Sequence, residues 1–151
     1  SRFWAVLIGI DAYQSNPLHG CVSDASLVKR FLMEDIGVPE HCGPLTPSHT
    51  NIINMLRSLI DNPEIGQNDN IFIYYAGHGT SYNCSEHSSM AESGCQTGSC
   101  PIQALCPIDR DTMDSDEHWI PDISHRELSV LLTQISLVKG HHITFITDCC
   151  Y

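Results

Sequence analysis

Three short runs of apolar residues constrain the fold of this chain more than any other feature. They cover Phe3 to Ile10, Ile71 to Ala76 and Ile143 to Thr147, and all are rich in β-branched or aromatic residues. A strand with one exposed face alternates apolar and polar residues, whereas a strand buried on both faces does not. The runs therefore predict three strands of a sheet that is covered on both faces.

The segments between these runs change to helical spacing. We expect helices to follow Asp24, Thr50 and Ser124, each of which is a suitable N-cap. The third start is the best marked, because Ser124-His-Arg-Glu127 has the form of a capping box. Strands alternating with helices predict an α/β domain, namely a three-layer αβα sandwich around a mainly parallel sheet. The apolar stripe of the first helix comprises Leu27, Val28, Phe31, Leu32 and Ile36.

Length and charge exclude several classes of protein. A chain of 151 residues suits one domain with its own core, residues 1–151. Acidic residues outnumber basic ones by 18 to 7, and a formal net charge of −11 argues against a nucleic-acid partner. No apolar run approaches the roughly 20 residues of a membrane-spanning helix, and no export signal precedes the first run. We therefore expect neither nucleic-acid nor membrane binding.

The cysteines favour a reducing environment. There are 8 of them, and they lack the regular spacing of a disulfide-stapled mini-protein. A cytoplasmic location is therefore expected. Residues 80–101 lose all periodicity and are predicted to form a Cys/Ser/Gly-rich loop insertion. A zinc interpretation of the cysteines in and after this loop stays open, although only Cys95 and Cys100 approach the spacing of a zinc finger.

Reactive side chains directly follow the predicted strands. Asp11 follows the first, His78 follows the second between two glycines, and Asp148-Cys149-Cys150 follows the third. Parallel strands present their carboxyl ends at one edge of a sheet, so a histidine and a cysteine are expected to meet there. Thiol catalysis needs such a pair, because the imidazole keeps the attacking thiolate deprotonated. Residue types alone do not distinguish this catalytic role from a structural one, since single histidines and cysteines are commonly packed against other side chains.

The segments Tyr74-Tyr-Ala-Gly-His-Gly79 and Asp148-Cys-Cys150 carry a resemblance to a known family. They are similar to Y-x-G-H-G and to the start of D-x-C-H-S-G, the motifs of caspase-like cysteine peptidases (peptidase family C14), closest to the metacaspases. Three further segments resemble that family in the same order: Ala5 to Tyr13, Leu18 to Ala25 and Cys106 to Asp109. The resemblance implies the caspase-haemoglobinase-like fold, of which this chain would be the large-subunit portion.

The resemblance also implies a role for each matching residue. Cys150 would be the nucleophile and His78 the general base and acid. The backbone N–H groups of Gly79 and Cys150 would bind the oxyanion. Cys149 occupies a variable position of the motif, for which a packing role and a redox role beside Cys150 both stay open. The implied activity is that of a cysteine endopeptidase, with programmed cell death as the family's context.

Specificity follows from the same resemblance. Asp24, Asp148 and Cys21 match residues that line the metacaspase pocket for the side chain before the scissile bond, which selects Arg or Lys. Two carboxylates would bind a guanidinium in bidentate fashion and repel an acidic side chain. Ala76 departs from the pattern, because some relatives carry a serine there, and one hydrogen bond to the substrate would be missing.

An acidic segment from Asp109 to Asp122 allows two interpretations. Metacaspases often need calcium held by carboxylates in this region, and the resemblance points to Asp109 and Asp111 as ligands. No EF-hand pattern is present, however, and a charged loop is commonly just solvated. The peptidase chemistry itself requires no cofactor, so calcium would serve activation.

Two departures from the family concern activity. Tyr151 stands where the family has a histidine, and the sequence stops there. We therefore expect an incomplete catalytic unit, which lacks the C-terminal small-subunit segment of its relatives. Its substrates would be polypeptides with Arg or Lys before the scissile bond. The alternative is a catalytically weak or inactive caspase-like module that acts in protein–protein signalling.

Overall fold

The structure is a computed structural model that describes residues 2–38, 47–83 and 101–150. Its central sheet consists of three parallel strands: β1 (Phe3–Gly9), β2 (Asn70–Ala76) and β6 (Ile143–Asp148). Strand β2 lies in the middle, between β1 and β6. These are the strands that the apolar runs predict.

Helices cover both faces of this sheet. Helix α1 (Cys21–Glu34) packs against one face, where side chains such as Ala5 and Tyr74 lie. Helices α2 (His49–Asp61) and α3 (His125–Lys139) pack against the other, which carries the larger core. Successive residues of a strand point to opposite faces of the sheet. A sheet that helices cover on both faces therefore needs apolar residues at every position. The prediction of a three-layer αβα sandwich with a mainly parallel sheet is confirmed. No helix in the described part of the chain is long and apolar enough to cross a membrane.

A second, antiparallel sheet lies outside the predicted strands. It is built from β3 (Gly79–Asn83), β4 (Pro101–Leu105) and β5 (Ile123–Ser124). The prediction of a loop over residues 80–101 is therefore wrong at its ends, because residues 80–83 and 101 belong to paired strands. Polar strands are held by backbone hydrogen bonds, which leave no hydrophobic signal in the sequence. Residues 84–100, with the cysteines of the zinc interpretation other than Cys106, lie outside the described residues.

The start of α1 corrects one predicted helix cap. The helix begins at Cys21, so Asp24 lies in its first turn and makes no cap hydrogen bond. The Asp11 carboxylate binds the helix N-terminus instead. Its Oδ1 accepts from the N–H groups of Gly20 at 3.0 Å and Cys21 at 2.9 Å, and its Oδ2 from Val22 at 3.3 Å. Asp11 follows β1 by two residues and lies about ten residues before the helix start, so local sequence patterns do not reveal it as the partner.

The other two helix starts differ in their outcome. Ser48 caps α2, because its Oγ accepts from the N–H of Asn51 at 3.2 Å. Thr50 is therefore inside the helix, and its prediction as the cap is wrong by two positions. Ser124 caps α3 as predicted, with its Oγ accepting from the N–H of Glu127 at 3.2 Å.

The buried face of α1 also differs from the predicted stripe. Leu27 and Phe31 are 50% and 53% exposed, whereas Ala25 and Leu32 are buried. Both sets of residues have helical spacing, so periodicity alone does not distinguish them. The first turn of α1 lies within van der Waals contact of β1, and a small side chain such as Ala25 suits this close approach.

Candidate active site

The carboxyl ends of the three parallel strands lie side by side. Gly9 pairs with Ala76, and Ala76 pairs with Asp148. His78 follows β2 by two residues and is half-buried, while Cys150 follows β6 by two residues and is exposed. The fold therefore brings the predicted histidine and cysteine to the same edge of the sheet.

Two tyrosines hold the backbone and ring of His78. The Tyr13 hydroxyl accepts from the backbone N–H of His78 at 2.9 Å, and the Tyr75 hydroxyl donates to its carbonyl at 2.8 Å. The rings of Tyr13 and His78 also pack together, with centroids 4.6 Å apart. Both hydroxyls reach the Cys106 carbonyl, at 2.9 and 2.8 Å. His78 is thus positioned by Tyr75 of its own segment and by two distant segments, which carry Tyr13 and Cys106.

Burial keeps both phenols in their protonated form. It raises the pKa of Tyr13 to about 12 and raises the pKa of Tyr75 well above its usual value. The two hydroxyls therefore remain hydrogen-bond donors over the physiological pH range. Gly77 allows them to approach, because a Cβ there would lie 2.5 Å from the Tyr13 hydroxyl oxygen and 2.7 Å from that of Tyr75.

The Asn16 carbonyl determines the tautomer of the His78 ring. Its oxygen lies 2.7 Å from Nε2. A carbonyl oxygen only accepts, so Nε2 carries the proton and Nδ1 of the neutral ring is the acceptor nitrogen. Asn16 has a φ of 55°, in the left-handed region that Asn tolerates better than most residues. Asn16 acts through its backbone carbonyl, so its residue type gives no signal in the sequence.

The residues proposed to bind the substrate side chain form an acidic cluster beside this edge. The Tyr74 hydroxyl donates to Asp148 Oδ2 at 2.9 Å. Burial, followed by the effects of Asp148 and Asp24, raises the pKa of Tyr74 to about 12. Burial, followed by the carboxylates of Asp11, Asp24 and Asp148, raises the pKa of Cys21 to about 11. Asp24, Asp148 and Cys21 thus share one neighbourhood, which Asp11 and Tyr74 also occupy.

The two adjacent cysteines differ in their surroundings. Cys149 is half-buried and packs against the larger core, whereas Cys150 is exposed. Neighbouring side chains of an extended segment point in opposite directions, which explains this difference. The packing interpretation of Cys149 agrees with its position. The oxyanion role of the N–H groups of Gly79, the first residue of β3, and of Cys150 stays a prediction.

The two predicted calcium ligands make separate contacts. Asp109 Oδ1 accepts from the N–H of His49 at the start of α2, at 2.8 Å. Asp111 is exposed, with Oδ2 at 4.0 Å from Arg110 Nε. Neither residue belongs to a group of three close metal-ligating side chains among the described residues. Such a group is formed, in exposed positions, by Asp114, Asp116 and His118, whose ligand atoms lie within 4.8 Å of one another.

A parallel sheet with a histidine and a cysteine at its carboxyl edge is the arrangement expected of a caspase-like peptidase domain. The family model described as "Metacaspase, peptidase C14 domain" matches residues 4–151. The chain therefore belongs to the metacaspase family of C14 peptidases, which confirms the resemblance read from its motifs.

Individual relatives agree with this family. The chain is 29% identical over 159 residues to Metacaspase-9 of Arabidopsis thaliana. This match covers 97% of this chain and 42% of that protein. It is also 33% identical over 86 residues to Metacaspase-1B of Aspergillus oryzae, and this match covers 50% of this chain and 20% of that protein. The crystal structure of protein GSU0716 from Geobacter sulfurreducens has a similar fold, with a TM-score of 0.67 at 15% sequence identity. The match covers 99% of this chain and 51% of the GSU0716 chain. That likeness supports the caspase-haemoglobinase-like fold. The chain spans less than half the length of these curated relatives.

Proposed function

We propose that the protein is a cysteine endopeptidase in which Cys150 is the nucleophile and His78 is the general base and acid. The observation that carries this proposal is the hydrogen bond between His78 Nε2 and the Asn16 carbonyl, at the sheet edge shared with Cys150. It leaves Nδ1 to accept the thiol proton, and the carbonyl stabilises the imidazolium that forms.

The proposed reaction has two stages, formation of a thioester with Cys150 and its hydrolysis. His78 removes the thiol proton, and the Cys150 sulfur attacks the scissile carbonyl carbon. The N–H groups of Gly79 and Cys150 bind the resulting oxyanion. When the C–N bond breaks, His78 gives its proton to the leaving amine. Water, deprotonated by His78, next hydrolyses the thioester and regenerates the thiol. No step needs a metal, so calcium binding by Asp109 and Asp111 is proposed for activation only.

The proposed substrates are polypeptides with Arg or Lys before the scissile bond. The acidic cluster of Asp24, Asp148 and Cys21 supports this preference, because a cationic side chain would be attracted to it and an acidic one repelled. Cys21 stays an uncharged thiol there, since its pKa is about 11. We further propose a reducing cytoplasmic location, which keeps the Cys150 thiol available.

A C-terminal small-subunit segment is the proposed partner of β6. In the described part of the chain β6 pairs with β2 alone, and Ile146 is exposed. An edge strand with free backbone groups and an exposed apolar side chain is suited to pairing with a further strand.

An affinity label tests the proposed nucleophile. A peptide with an arginine before a chloromethyl ketone should alkylate the full protein at Cys150, and peptide mass mapping should find the adduct there. Cys150→Ala should abolish the reaction, and Cys149→Ala should leave it intact. If Cys150→Ala is labelled as fast as the unmodified protein, the proposed function is wrong.

A neutral analogue of arginine tests the proposed specificity. Asp148→Asn should lower kcat/KM for an Arg peptide by about 10- to 100-fold, because a hydrogen bond to a charged group contributes about 1.5–3 kcal/mol. The corresponding citrulline peptide, which has the same shape without the charge, should be affected much less. Asp61→Asn, at the exposed end of α2, is the control. Equal losses for both peptides would show that Asp148 does not recognise charge.

A further inference from the structure

Two consecutive tyrosines of β2 point to opposite faces of the parallel sheet. Tyr75 lies in the larger core and holds the backbone of His78, whereas Tyr74 lies on the other face, beneath α1. The Tyr74 hydroxyl donates to Asp148 Oδ2 at 2.9 Å. Tyr74 precedes the Y-x-G-H-G segment by one position, and that motif assigns no role to it. Its hydroxyl nevertheless contacts the acidic cluster proposed to bind the substrate side chain.

The Tyr74 side chain is held firmly by its surroundings. It is only 6% exposed and packs with Ala25 of α1 and Ala76 of β2. Tyr74 pairs with Ile146 across the sheet, so Asp148 lies diagonally opposite on the same face. Burial, followed by the hydrogen bond to Asp148, raises the pKa of Tyr74 to about 12, so its hydroxyl keeps its proton. The phenol is therefore a fixed hydrogen-bond donor over the physiological pH range.

This donor restrains a carboxylate that is otherwise open to solvent. Asp148 is exposed, and the torsion about the Cβ–Cγ bond of an aspartate is broadly distributed. The hydrogen bond at Oδ2 opposes rotation about that bond. Within residues 2–38, 47–83 and 101–150, Asp148 Oδ1 makes no hydrogen bond. Asp148 therefore presents a carboxylate of fixed orientation, with one oxygen available to a ligand.

Arginine and lysine side chains respond differently to a carboxylate of fixed orientation. A guanidinium is planar, and its rigid fork of N–H donors must be aligned with the carboxylate to bind both oxygens. The lysine ammonium is a compact charge with rotatable donors, so its pairing depends much less on that orientation. Each carboxylate oxygen can accept two hydrogen bonds, so the bond from Tyr74 leaves room for the fork. A carboxylate oriented in advance also loses less freedom on binding, which favours arginine.

We propose that Tyr74 is a positioning residue for substrate specificity, which orients the Asp148 carboxylate and thereby favours Arg over Lys before the scissile bond. The inference rests on the proposed function, because that function assigns Asp148 to the pocket for this side chain. Tyr74 acts through Asp148 and takes no part in the chemistry at Cys150.

Removal of the Tyr74 hydroxyl tests the proposal in the full protein, with two fluorogenic tripeptides that differ only in ending with Arg or Lys. Tyr74→Phe should lower kcat/KM for the Arg peptide by about five- to tenfold, mainly through a higher KM. The Lys peptide should lose less than about twofold, so the Arg-to-Lys ratio falls. Tyr82→Phe is the control, because it removes another phenol-to-carboxylate hydrogen bond, to Asp122. It should leave the ratio unchanged.

A double variant separates the positioning role from a merely structural one. If Tyr74 acts through Asp148, its hydroxyl should matter little once the carboxylate charge is removed. In the Asp148→Asn background, Tyr74→Phe should therefore change kcat/KM for the Arg peptide by less than about twofold. Equal losses for the Arg and Lys peptides, an unchanged Arg-to-Lys ratio, or additive losses in the double variant would overturn the positioning role.

A binding measurement distinguishes failure of this inference from failure of the proposed peptidase function. Cys150→Ala keeps the acidic cluster but lacks the proposed nucleophile. By calorimetry, this variant should bind N-acetyl-argininamide more tightly than N-acetyl-lysinamide, and adding Tyr74→Phe should reduce the difference. That result supports the role of Tyr74 even if no peptide is cleaved. Equal binding of the two amides, or binding of neither, would overturn it, whereas cleavage of the Arg peptide would still support the peptidase function.

Discussion

His78→Ala should lower kcat/KM for an Arg peptide by a factor of about 10² to 10⁴, the range that general acid–base catalysis contributes. The variant loses both the acceptor for the thiol proton and the donor for the leaving amine. The hydroxyls of Tyr13 and Tyr75 bind the backbone of His78, which alanine retains, so the fold should be preserved. Peptide hydrolysis and circular dichroism measure the two effects.

Chemical rescue distinguishes a catalytic role of His78 from a structural one. Added imidazole should restore part of the activity of His78→Ala, because it can carry the proton in place of the ring. Cys150→Ala should show no rescue. His141→Ala, at an exposed histidine before β6, should retain full activity. A loss of less than tenfold in His78→Ala would contradict the proposed dyad.

Gly9→Ala should lower the free energy of unfolding by about 3 kcal/mol, the upper end of the usual cost of overpacking. A Cβ at this position would lie 2.5 Å from the Cys21 carbonyl oxygen and 2.8 Å from the Val22 Cα. Both are backbone atoms of the first turn of α1, and they can move only if the helix moves. Because that turn also carries Asp24, kcat/KM for an Arg peptide should fall as well.

Gly37→Ala is the matched control for Gly9. Gly37 has a φ of 75° and no atom within 4 Å of an added Cβ, so only the left-handed backbone opposes the change. We expect a cost of about 1–2 kcal/mol for this variant. Urea denaturation of both variants gives the comparison. If Gly9→Ala costs no more than Gly37→Ala, close packing of α1 on β1 is not what the glycine provides.

Much of the central sheet could be predicted because its signal is local. The apolar runs identified all three parallel strands to within one residue at each end: β1 ends one residue before its run does, β2 begins one residue earlier, and β6 ends one residue later. The capping box at Ser124 was equally readable, since donor and acceptor are three residues apart. The polar strand β3 was missed, because its pairing with β4 depends on backbone atoms that every residue has.

The candidate site likewise contains residues that the sequence indicated and residues that only the tertiary structure revealed. His78 and Cys150 stand out by residue type, by their place after predicted strands and by the motifs around them. The neighbouring Tyr75 holds His78 through its hydroxyl, and a distant segment contributes the Tyr13 hydroxyl and the Asn16 carbonyl. Tyr75 is the tyrosine of the Y-x-G-H-G motif, but neither this motif nor the apolar runs indicated what the hydroxyls of Tyr75 and Tyr13 bind.

The sequence by itself determined the α/β class, the order of the strands along the chain and the chemical types at their ends, because neighbouring residues encode periodicity and motifs. Only the tertiary structure decided how these parts are joined. It replaced Asp24 by Asp11 as the cap of α1, turned Ala25 rather than Leu27 toward the sheet, and oriented the His78 ring with a backbone carbonyl. Each of these outcomes depends on atoms brought together by packing, and contacts between distant segments leave no periodic trace in the sequence.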